Sequence, residues 1–452
     1  MKLDFRKLKC AVGLLASAVF ASNLSAQVTS ELSFERAIEL AVQNDPWLVQ
    51  NKINEQSIRE RSVGESSLPD PRLSLTAANL PTDGFDFNQE PMTQLKLGYS
   101  QMFPAGDSLQ LKAAKLERTA ELYPIQRQVR NALLKKQAGK LWLELYRTNK
   151  TIELIEQNQS LFEKLVDVAQ ISYSSAAGKT RQQDIVRAQL ELTMLEELLS
   201  AQIQQKVSLE AQLHGLIDKN FVQHYQQSAI GSLENEFQTI SLPKHLPSLG
   251  FAKFNAIAAD TLSRDKVVEA LLRHPEVLIF EQETRVKQTS VELAEQAYSP
   301  SWGISASYAY RDDDPLGNDR ADFVSIGVSF ELPLFTKSKQ DKNLSAAKLD
   351  VAATKTKKWQ AMRQLLSQFN LHVSQYRQLS ERASRYRKSL LPKTNEQAEA
   401  ALNAYTNDES DFAEVVRARI AELNAKIEAL NIAVKQQQSI LEINYLLAGV
   451  KS

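Results

Sequence analysis

The chain is poor in three residue types that interrupt or cross-link most proteins. It has a single cysteine, Cys10, and only 14 glycines and 14 prolines among 452 residues. Cys10 lies in a segment that we expect to be removed, so the mature chain must gain its stability without disulfides. Because glycine and proline interrupt regular helices, their scarcity favours long uninterrupted elements.

Further absences exclude several classes of function. Lysine plus arginine and aspartate plus glutamate both number 54, and this zero net charge gives no support to a nucleic-acid-binding surface. No apolar run is long enough to cross a bilayer as a helix, so we expect no membrane-spanning helix. The chain contains no glycine-rich phosphate loop, no G-x-S-x-G and no H-E-x-x-H, and its five histidines lack the spacing of metal ligands. We therefore predict that the chain is not an enzyme and has no catalytic, cofactor or metal site.

The N-terminal segment 1–26 has the pattern of a secretory signal peptide. Lysine and arginine side chains cluster before an apolar stretch at 11–21, and small residues precede Gln27. A basic region, a short apolar region and a small-residue cleavage site predict export and cleavage after Ala26. Cys10 precedes the apolar stretch, so it is badly placed to carry a lipid anchor.

A long stretch in the first half repeats with a coiled-coil period. Spacings of four and three residues alternate from Leu134 to Tyr173, and no proline occurs between positions 125 and 242. At about 1.5 Å per residue, ~45–50 residues form a rod of roughly 70 Å. A turn at Gly178 and a return helix over 181–213 complete an antiparallel hairpin. The seam positions are Leu134, Ala138, Leu141, Leu145, Thr148, Ile152, Ile155, Gln159, Phe162, Val166, Ala169 and Tyr173.

Two segments change from a helical period to strict alternation. Between Pro71 and Pro104, and again between Pro300 and Pro333, apolar side chains alternate with polar or small ones. Such alternation predicts strands of roughly nine to eleven residues with one apolar and one polar face. A polar loop joins each pair of strands, so the chain contains two predicted β-hairpins.

The chain repeats one structural unit. Prolines 46, 71 and 104 recur at 275, 300 and 333 with a constant offset, and Ala-Ala-Lys-Leu-Glu at 113–117 recurs as Ala-Ala-Lys-Leu-Asp at 346–350. We infer a duplication of the order helix, strand, loop, strand, helix, turn, helix. The predicted segments are the signal peptide at 1–26, the N-terminal helix of repeat 1 at 27–71, the first β-hairpin at 72–104, the first helical hairpin at 105–218, an irregular equatorial linker at 219–262, the first helix of repeat 2 at 263–300, the second β-hairpin at 301–333, and the second helical hairpin with the C-terminus at 334–452.

Four strands with one apolar face cannot enclose a pore within one copy. Backbone groups in lipid must all be paired, so a spanning sheet has to close on itself, and about eight strands are the practical minimum. Three copies would supply twelve strands and twelve helices. Strand length, alternation and aromatic residues near the strand ends fit an outer-membrane barrel. The strands alone also fit a soluble β-sandwich with attached helical hairpins, which the signal peptide and the two long hairpins disfavour.

This layout resembles the TolC family of outer-membrane efflux proteins over nearly the whole mature length. The resemblance is carried by the duplication and by the motifs Asn44-Asp45-Pro46, His274-Pro275, Phe103-Pro104, Leu332-Pro333-Leu334-Phe335, and Tyr173 to Gly178 followed by Asp184 to Ala188. It implies an α+β membrane protein, a homotrimer with a 12-stranded outer-membrane β-barrel and a coiled-coil α-barrel through the periplasm. It also implies two partners, a periplasmic adaptor (membrane fusion) protein and an inner-membrane pump such as an RND transporter.

A finer resemblance points to the heavy-metal cation efflux branch of this family. It rests on three motifs, Leu68-Pro-Asp-Pro-Arg72, Asn79-Leu-Pro81 and Glu90-Pro-Met-Thr-Gln94. It implies a cargo such as copper, zinc, cobalt or cadmium. The chain has no cluster of methionine, histidine or cysteine that would bind such cations, and a passive conduit does not need one.

Two turns carry the candidate functional residues. Asp408, Glu409, Asp411 and Glu414 lie at the second turn, where three copies would gather acids near one axis, favour cations and form a tip gate. The alternative is an ordinary polar turn whose acids begin the next helix.

The first turn carries a second candidate site. The resemblance implies that Tyr173, Gly178, Thr180 and Asp184 receive the adaptor's helical hairpin, and the alternative is a plain turn between helices. The predicted function is therefore a passive trimeric exit duct of a tripartite efflux system in the outer membrane. The alternative is a soluble periplasmic coiled-coil adaptor or scaffold.

Overall fold

The computed structural model describes residues 31–174, 182–220, 240–251, 263–407 and 409–449. The predicted signal peptide lies outside these residues. In chain order the elements are α1 (Phe34–Gln43), α2 (Pro46–Glu65), β1 (Arg72–Ala78), β2 (Gln94–Phe103), α3 (Ser108–Ala120), α4 (Leu122–Ser174), α5 (Gln182–Ile217), α6 (Arg264–Leu272), α7 (Pro275–Gln296), β3 (Ser301–Tyr310), β4 (Phe323–Glu331), α8 (Gln340–Arg385), α9 (Leu391–Thr406) and α10 (Phe412–Leu446). Long helices combined with one small sheet are the protomer fold that the sequence predicted. Among the described residues, no helix has both the length and the apolarity to cross a bilayer.

The early prolines of the two repeats mark helix starts. Asp45 precedes α2, and its side chain accepts a hydrogen bond from the backbone N–H of Trp47 at 3.2 Å. His274 precedes α7 and accepts from the backbone N–H of Glu276 at 3.3 Å. A proline follows each capping residue, at a position where its missing N–H would have no partner in the helix.

Helix α4 is the predicted rod and runs for 53 residues. The apolar side chains of its predicted seam are buried or half-buried from Leu134 to Val166, where α4 packs between α5 and α10. Tyr173 departs from the prediction, because it is 52% exposed. Helices α3 and α4 are separated at Glu121, and Pro124 fits the first turn of α4 without losing a hydrogen bond.

The first long helical segment of the second hairpin, from Gln340 to Thr406, is interrupted once. A π-helical turn at Tyr386–Leu390 joins α8 to α9, directly before Pro392. Because Pro392 cannot donate a backbone hydrogen bond, the ladder before it must rearrange, and a π-helical turn absorbs the change.

The four strands form one antiparallel sheet in the order β1-β2-β3-β4. Its central pair joins the two repeats, with Phe103 of β2 opposite Trp302 of β3. The two hairpins therefore lie side by side, and the sheet connects the ends of α2, α3, α7 and α8.

Three buried clusters hold the helices together. One packs Phe34 of α1 edge-on against Trp142 of α4, with ring centroids 5.6 Å apart. A second packs α6 and α7 against α8 and the end of α10, around Phe369. The third joins the two helical hairpins and includes Phe162 and Phe412. Because each cluster joins different helices, the hairpins are fixed relative to each other along their length.

Residues 240–251 of the predicted linker follow the helices as an irregular segment. The carbonyl of Ser241 accepts from the backbone N–H of Leu32 at 2.8 Å. The carbonyl of Lys244 accepts from the hydroxyl of Tyr146 at 3.0 Å. The remainder of the linker lies mostly outside the described residues.

Candidate functional site

One face of the sheet is apolar and exposed. The register places Leu75 beside Leu97, Leu97 beside Tyr308, and Tyr308 beside Val324, so an apolar row crosses all four strands. These four side chains are between 47% and 72% exposed. Soluble monomers rarely expose an apolar surface of this extent, so the face requires an apolar environment.

Aromatic rings stand near both ends of the apolar face. At one end Phe103 stacks on Trp302 with centroids 4.1 Å apart, and Phe330 is the next neighbour of Trp302 across the sheet. Tyr308 and Tyr310 stand towards the other end. Aromatic rings at the two ends of an apolar band are typical of strands that meet two membrane–water interfaces.

The opposite face of the sheet is built mostly from small residues, with Lys96 and Glu331 among the exceptions. Ser74, Gly98, Ser307 and Ser325 form one row across the strands. A Cβ atom at Gly98 would lie 2.7 Å from the hydroxyl oxygen of Ser74, so glycine permits the close approach in this row. Small hydroxyl-bearing side chains can face water without narrowing the space in front of the sheet.

The sheet has two unpaired edges. Within the described residues, β1 pairs only with β2, and β4 pairs only with β3. Unpaired backbone groups are costly in an apolar environment. Because the four strands alternate in direction, β4 of one copy has the correct direction to pair antiparallel with β1 of another.

The acids of the second turn are exposed. Glu409, Asp411 and Glu414 all face solvent, and the hydroxyl of Ser410 donates to Glu414 at 3.2 Å. Asp411 precedes α10 without a side-chain capping bond. Asp408 lies outside the described residues. A single copy therefore brings three acids to one turn, and their gathering near an axis depends on further copies.

A buried ion network near this turn escaped the sequence analysis. Arg419 pairs with Glu422 at 2.9 Å and with Glu399 at 2.8 Å, and Lys426 pairs with Glu422 at 2.7 Å. Burial alone would raise the pKa of Glu422, but hydrogen bonds from Lys426 and Arg419 outweigh it and lower the pKa. The spacing of Arg419, Glu422 and Lys426 on one helix was a usable signal. Glu399 was not predictable, because it comes from α9.

The first turn is described only at its two flanks. Tyr173 lies at the end of α4, and Asp184 lies in the first turn of α5. Gly178 and Thr180 lie outside the described residues. The structure therefore places the flanks of the proposed docking site but not its tip.

An apolar stripe on α5 begins beside this turn and was also missed. Val186, Leu190 and Met194 follow one another at intervals of four residues, and each is 57% exposed. On the opposite side of α5, Ala188 and Leu195 are buried. A stripe of this spacing fits the apolar face of a partner helix.

The second turn packs against the first helical hairpin. Phe162 and Leu195 of the first hairpin share a buried cluster with Phe412 and Val416 of the second. The rings of Phe412 and Tyr405 meet edge to face at 5.5 Å, which fixes the second turn on its own hairpin. The described part of the second turn therefore lies beside the first hairpin.

The structural role of one histidine is clear. His274 is fully buried, and its Nε2 lies 3.2 Å from the carbonyl oxygen of Tyr445 while its Nδ1 caps α7. Burial lowers the pKa of His274. Across the described residues, no group of three or more histidine, cysteine, aspartate or glutamate side chains is arranged to hold a metal ion.

No family model and no curated protein matches the chain. Among solved structures, the outer membrane channel CmeC of Campylobacter jejuni is 14% identical, with a TM-score of 0.70 over 92% of this chain and 85% of that one. The outer membrane protein VceC of Vibrio cholerae is 14% identical, with a TM-score of 0.71 over 92% of this chain and 96% of that one. The open state of the MtrE outer membrane channel of Neisseria gonorrhoeae is 15% identical, with a TM-score of 0.61 over 92% of this chain and 88% of that one. The likeness covers 92% of the chain in each case, and the chain has the TolC-like channel fold that its sequence predicted.

Proposed function

We propose that this chain is the outer-membrane channel of a tripartite efflux system. The observation that carries the proposal is the four-stranded sheet, which has an exposed apolar face, a small polar face and two unpaired edges. Such a sheet is stable in a membrane when its apolar face meets lipid and its edges are paired. The long hairpins then extend away from the membrane into the periplasm.

The number of strands favours three copies. Two copies would supply eight strands, and a barrel of eight strands has an interior just wide enough for its own side chains. Three copies supply twelve strands and leave room for an aqueous passage lined by the serine-rich face. The homotrimer is therefore the smallest ring of this chain that can act as a duct.

The duct is passive and depends on partners. The chain carries no nucleotide-binding or catalytic motif, so an inner-membrane pump, such as an RND transporter, supplies the energy. A periplasmic adaptor protein connects the two. We place its docking site at the first turn, at Tyr173, Gly178, Thr180 and Asp184. The stripe through Leu190 offers that adaptor an apolar helix face.

The second turn acts as a gate and selects for charge. Asp408, Glu409, Asp411 and Glu414 of three copies would form an acidic ring that attracts cations and repels anions. Heavy-metal cations are the proposed cargo, on the strength of the motifs at 68–72, 79–81 and 90–94. The acidic ring is compatible with such a cargo.

Disruption of the gene tests this function. Cells without the gene should become more sensitive to copper, zinc, cobalt or cadmium salts, and the intact gene should restore resistance. A parallel screen with antibiotics separates a metal cargo from a drug cargo. Recovery of the protein in a detergent-free soluble fraction, together with unchanged sensitivity to every compound, would contradict a channel role.

A further inference from the structure

We propose that a groove between α4, α8 and α10 binds small anionic solutes inside the duct, through their phosphate or carboxylate oxygens. The groove has a volume of about 530 Å³, and its charged lining residues are Lys140, His372, Arg382, Lys435 and Glu442. A cavity of this size can hold a small organic molecule. The proposal rests on the proposed function in one respect, because the groove faces the passage only when the chain forms a duct.

One face of each of these three helices is covered by a layer that residues 31–43 and 240–251 form. Trp142 of α4 donates from its Nε1 to a backbone carbonyl of this layer at 2.8 Å. Gln437 of α10 accepts from one of its backbone N–H groups at 2.8 Å. Tyr376 of α8 packs edge to face on one of its phenylalanine rings, with centroids 5.0 Å apart. The covering layer therefore lies against the same side of all three helices.

The groove lies on the opposite side of the same helices. Lys140, Gln378 and Lys435 line it, and each stands two residues from the side chain of its own helix that contacts the covering layer. Because successive residues of an α-helix are rotated by about 100°, side chains two residues apart point about 200° apart. Three copies of the linker 219–262 inside the passage would obstruct it. The covering layer therefore faces outwards, and the groove faces the passage.

The groove contains more cations than its acid can compensate. Glu442 is its acidic lining residue, and this carboxylate is shared by Lys136 at 3.5 Å and Lys140 at 3.3 Å. Arg382 pairs with Glu428 at 2.7 Å, so its charge is compensated. Two lysines on one carboxylate therefore leave a net positive charge at this end of the groove.

Lys435 adds a second positive charge. Its side chain is exposed to the groove, and among the described residues it forms no ion pair. Gln375 and Gln378 line the same groove. Lysine ammonium groups and side-chain amides are donors that suit the oxygens of phosphate and carboxylate groups. Three copies repeat these charges around the passage, where they raise the local concentration of anions.

The groove and the acidic second turn act at different heights of the duct. The helix between Asp411 and Lys435 spans roughly 36 Å, at about 1.5 Å per residue. This separation exceeds the Debye length of about 8 Å at physiological ionic strength, so the two sets of charges act separately. Cations that pass the acidic turn therefore meet positive charge in the groove, and an anion bound there neutralises it.

The effect of pyrophosphate on the channel current tests the groove. We expect inorganic pyrophosphate to lower the chloride current of the wild type in planar bilayers until it saturates, because it neutralises the charges that attract chloride. Lys140→Gln combined with Lys435→Gln should weaken this effect about ten-fold, since charge-assisted hydrogen bonds are lost. Lys136 still pairs with Glu442 in this variant, so folding should be retained. The control is Arg36→Gln combined with Lys244→Gln, which removes two exposed cations of the covering layer and should leave the effect unchanged.

A cysteine at position 435 tests the direction in which the groove faces. The mature chain is predicted to contain no cysteine, so Lys435→Cys carries a single thiol. We expect its modification by a negatively charged methanethiosulfonate to lower the chloride current further, whereas modification of Lys244→Cys should leave the current unchanged. A fully modified Lys435→Cys with an unchanged current would show that the groove lies outside the passage.

The outcomes separate the groove from the duct. If channels form but pyrophosphate has no saturable effect, or acts equally on the wild type and the double lysine variant, the groove is wrong while the duct stands. If no channels form, the duct is wrong, and calorimetric titration of the detergent-extracted protein with pyrophosphate decides on the groove. Binding that the double lysine variant loses and the control pair retains supports the groove, and equal or absent binding overturns it.

Discussion

Asp45 and His274 occupy equivalent positions in the two repeats, and each caps a helix with its side chain. Asp45 also pairs with Arg130 of α4 at 2.7 Å, so its charge is compensated. His274 is fully buried, and its cap uses the unprotonated Nδ1 while Nε2 faces the carbonyl of Tyr445. The same structural task is thus done by a charged residue in one repeat and a neutral one in the other.

Because His274 caps α7 in its neutral form, we expect the stability of the folded protein to depend on pH. Burial lowers the pKa of His274 below its ordinary value of 6.5, so the unfolded chain binds the proton first as the pH falls. The contribution of neutral His274 to the free energy of unfolding is complete above pH 6.5. This contribution is lost as the pH falls from 6.5 towards the lower pKa of the folded state. We expect the melting temperature to fall more steeply below pH 6.5 in the wild type than in His274→Asn, because asparagine caps without titrating. Equal slopes in circular dichroism melts would contradict this.

Gly139 permits a close contact in the core. A Cβ atom there would lie 2.9 Å from Leu441 and 3.0 Å from Phe34. We expect Gly139→Ala to destabilise the protein by about 1–3 kcal/mol. Gly215→Ala is the control, since among the described residues no atom outside its own stretch of helix backbone lies within 4 Å of the added Cβ, and it should stabilise by about 0.5–1 kcal/mol. Melting temperatures that move in the same direction would refute the packing argument.

The two faces of the sheet should respond differently to charge. Ile326 lies on the apolar face and is 82% exposed, and Ser325 is its neighbour on the polar face. We expect Ile326→Lys to cost about 2–4 kcal/mol in the membrane and to reduce the amount in outer-membrane fractions. Ser325→Lys should leave that amount unchanged and alter the conductance in planar bilayers. Equal amounts of both variants would show that the apolar face does not meet lipid.

The acidic turn should govern charge preference. We expect Glu409→Gln with Asp411→Asn to lower the cation-to-anion permeability ratio, because two of the acids in each copy lose their charge. Asparagine at 411 preserves a good helix start, so folding should be retained. Glu283→Gln is a control, since this acid lies on α7 rather than at the turn. An unchanged reversal potential in a salt gradient would show that these acids belong to an ordinary polar turn and do not select for charge.

Local periodicity explains what the sequence could predict. Residues at helical spacing share one face of α4, and alternate residues share one face of a strand. Spacing alone therefore identifies the seam of α4 and the two faces of the strands. The helix starts at Pro46 and Pro275 follow from the chemistry of proline. The protomer fold was accessible because the duplication presented these patterns twice.

Contacts between distant segments explain what the sequence could not predict. The pairing of Phe103 with Trp302 joins two repeats and leaves no local trace. The ion pair of Arg419 with Glu399 crosses from α10 to α9 in the same way. Tyr173 follows the heptad spacing, yet it is 52% exposed at the end of the described part of α4.

Native mass spectrometry of the mature protein, extracted with detergent from the outer-membrane fraction, decides whether the chain forms a trimeric channel. We expect one species that contains three copies, because four strands per chain cannot enclose a passage. A monomer recovered from the detergent-free soluble fraction would contradict it.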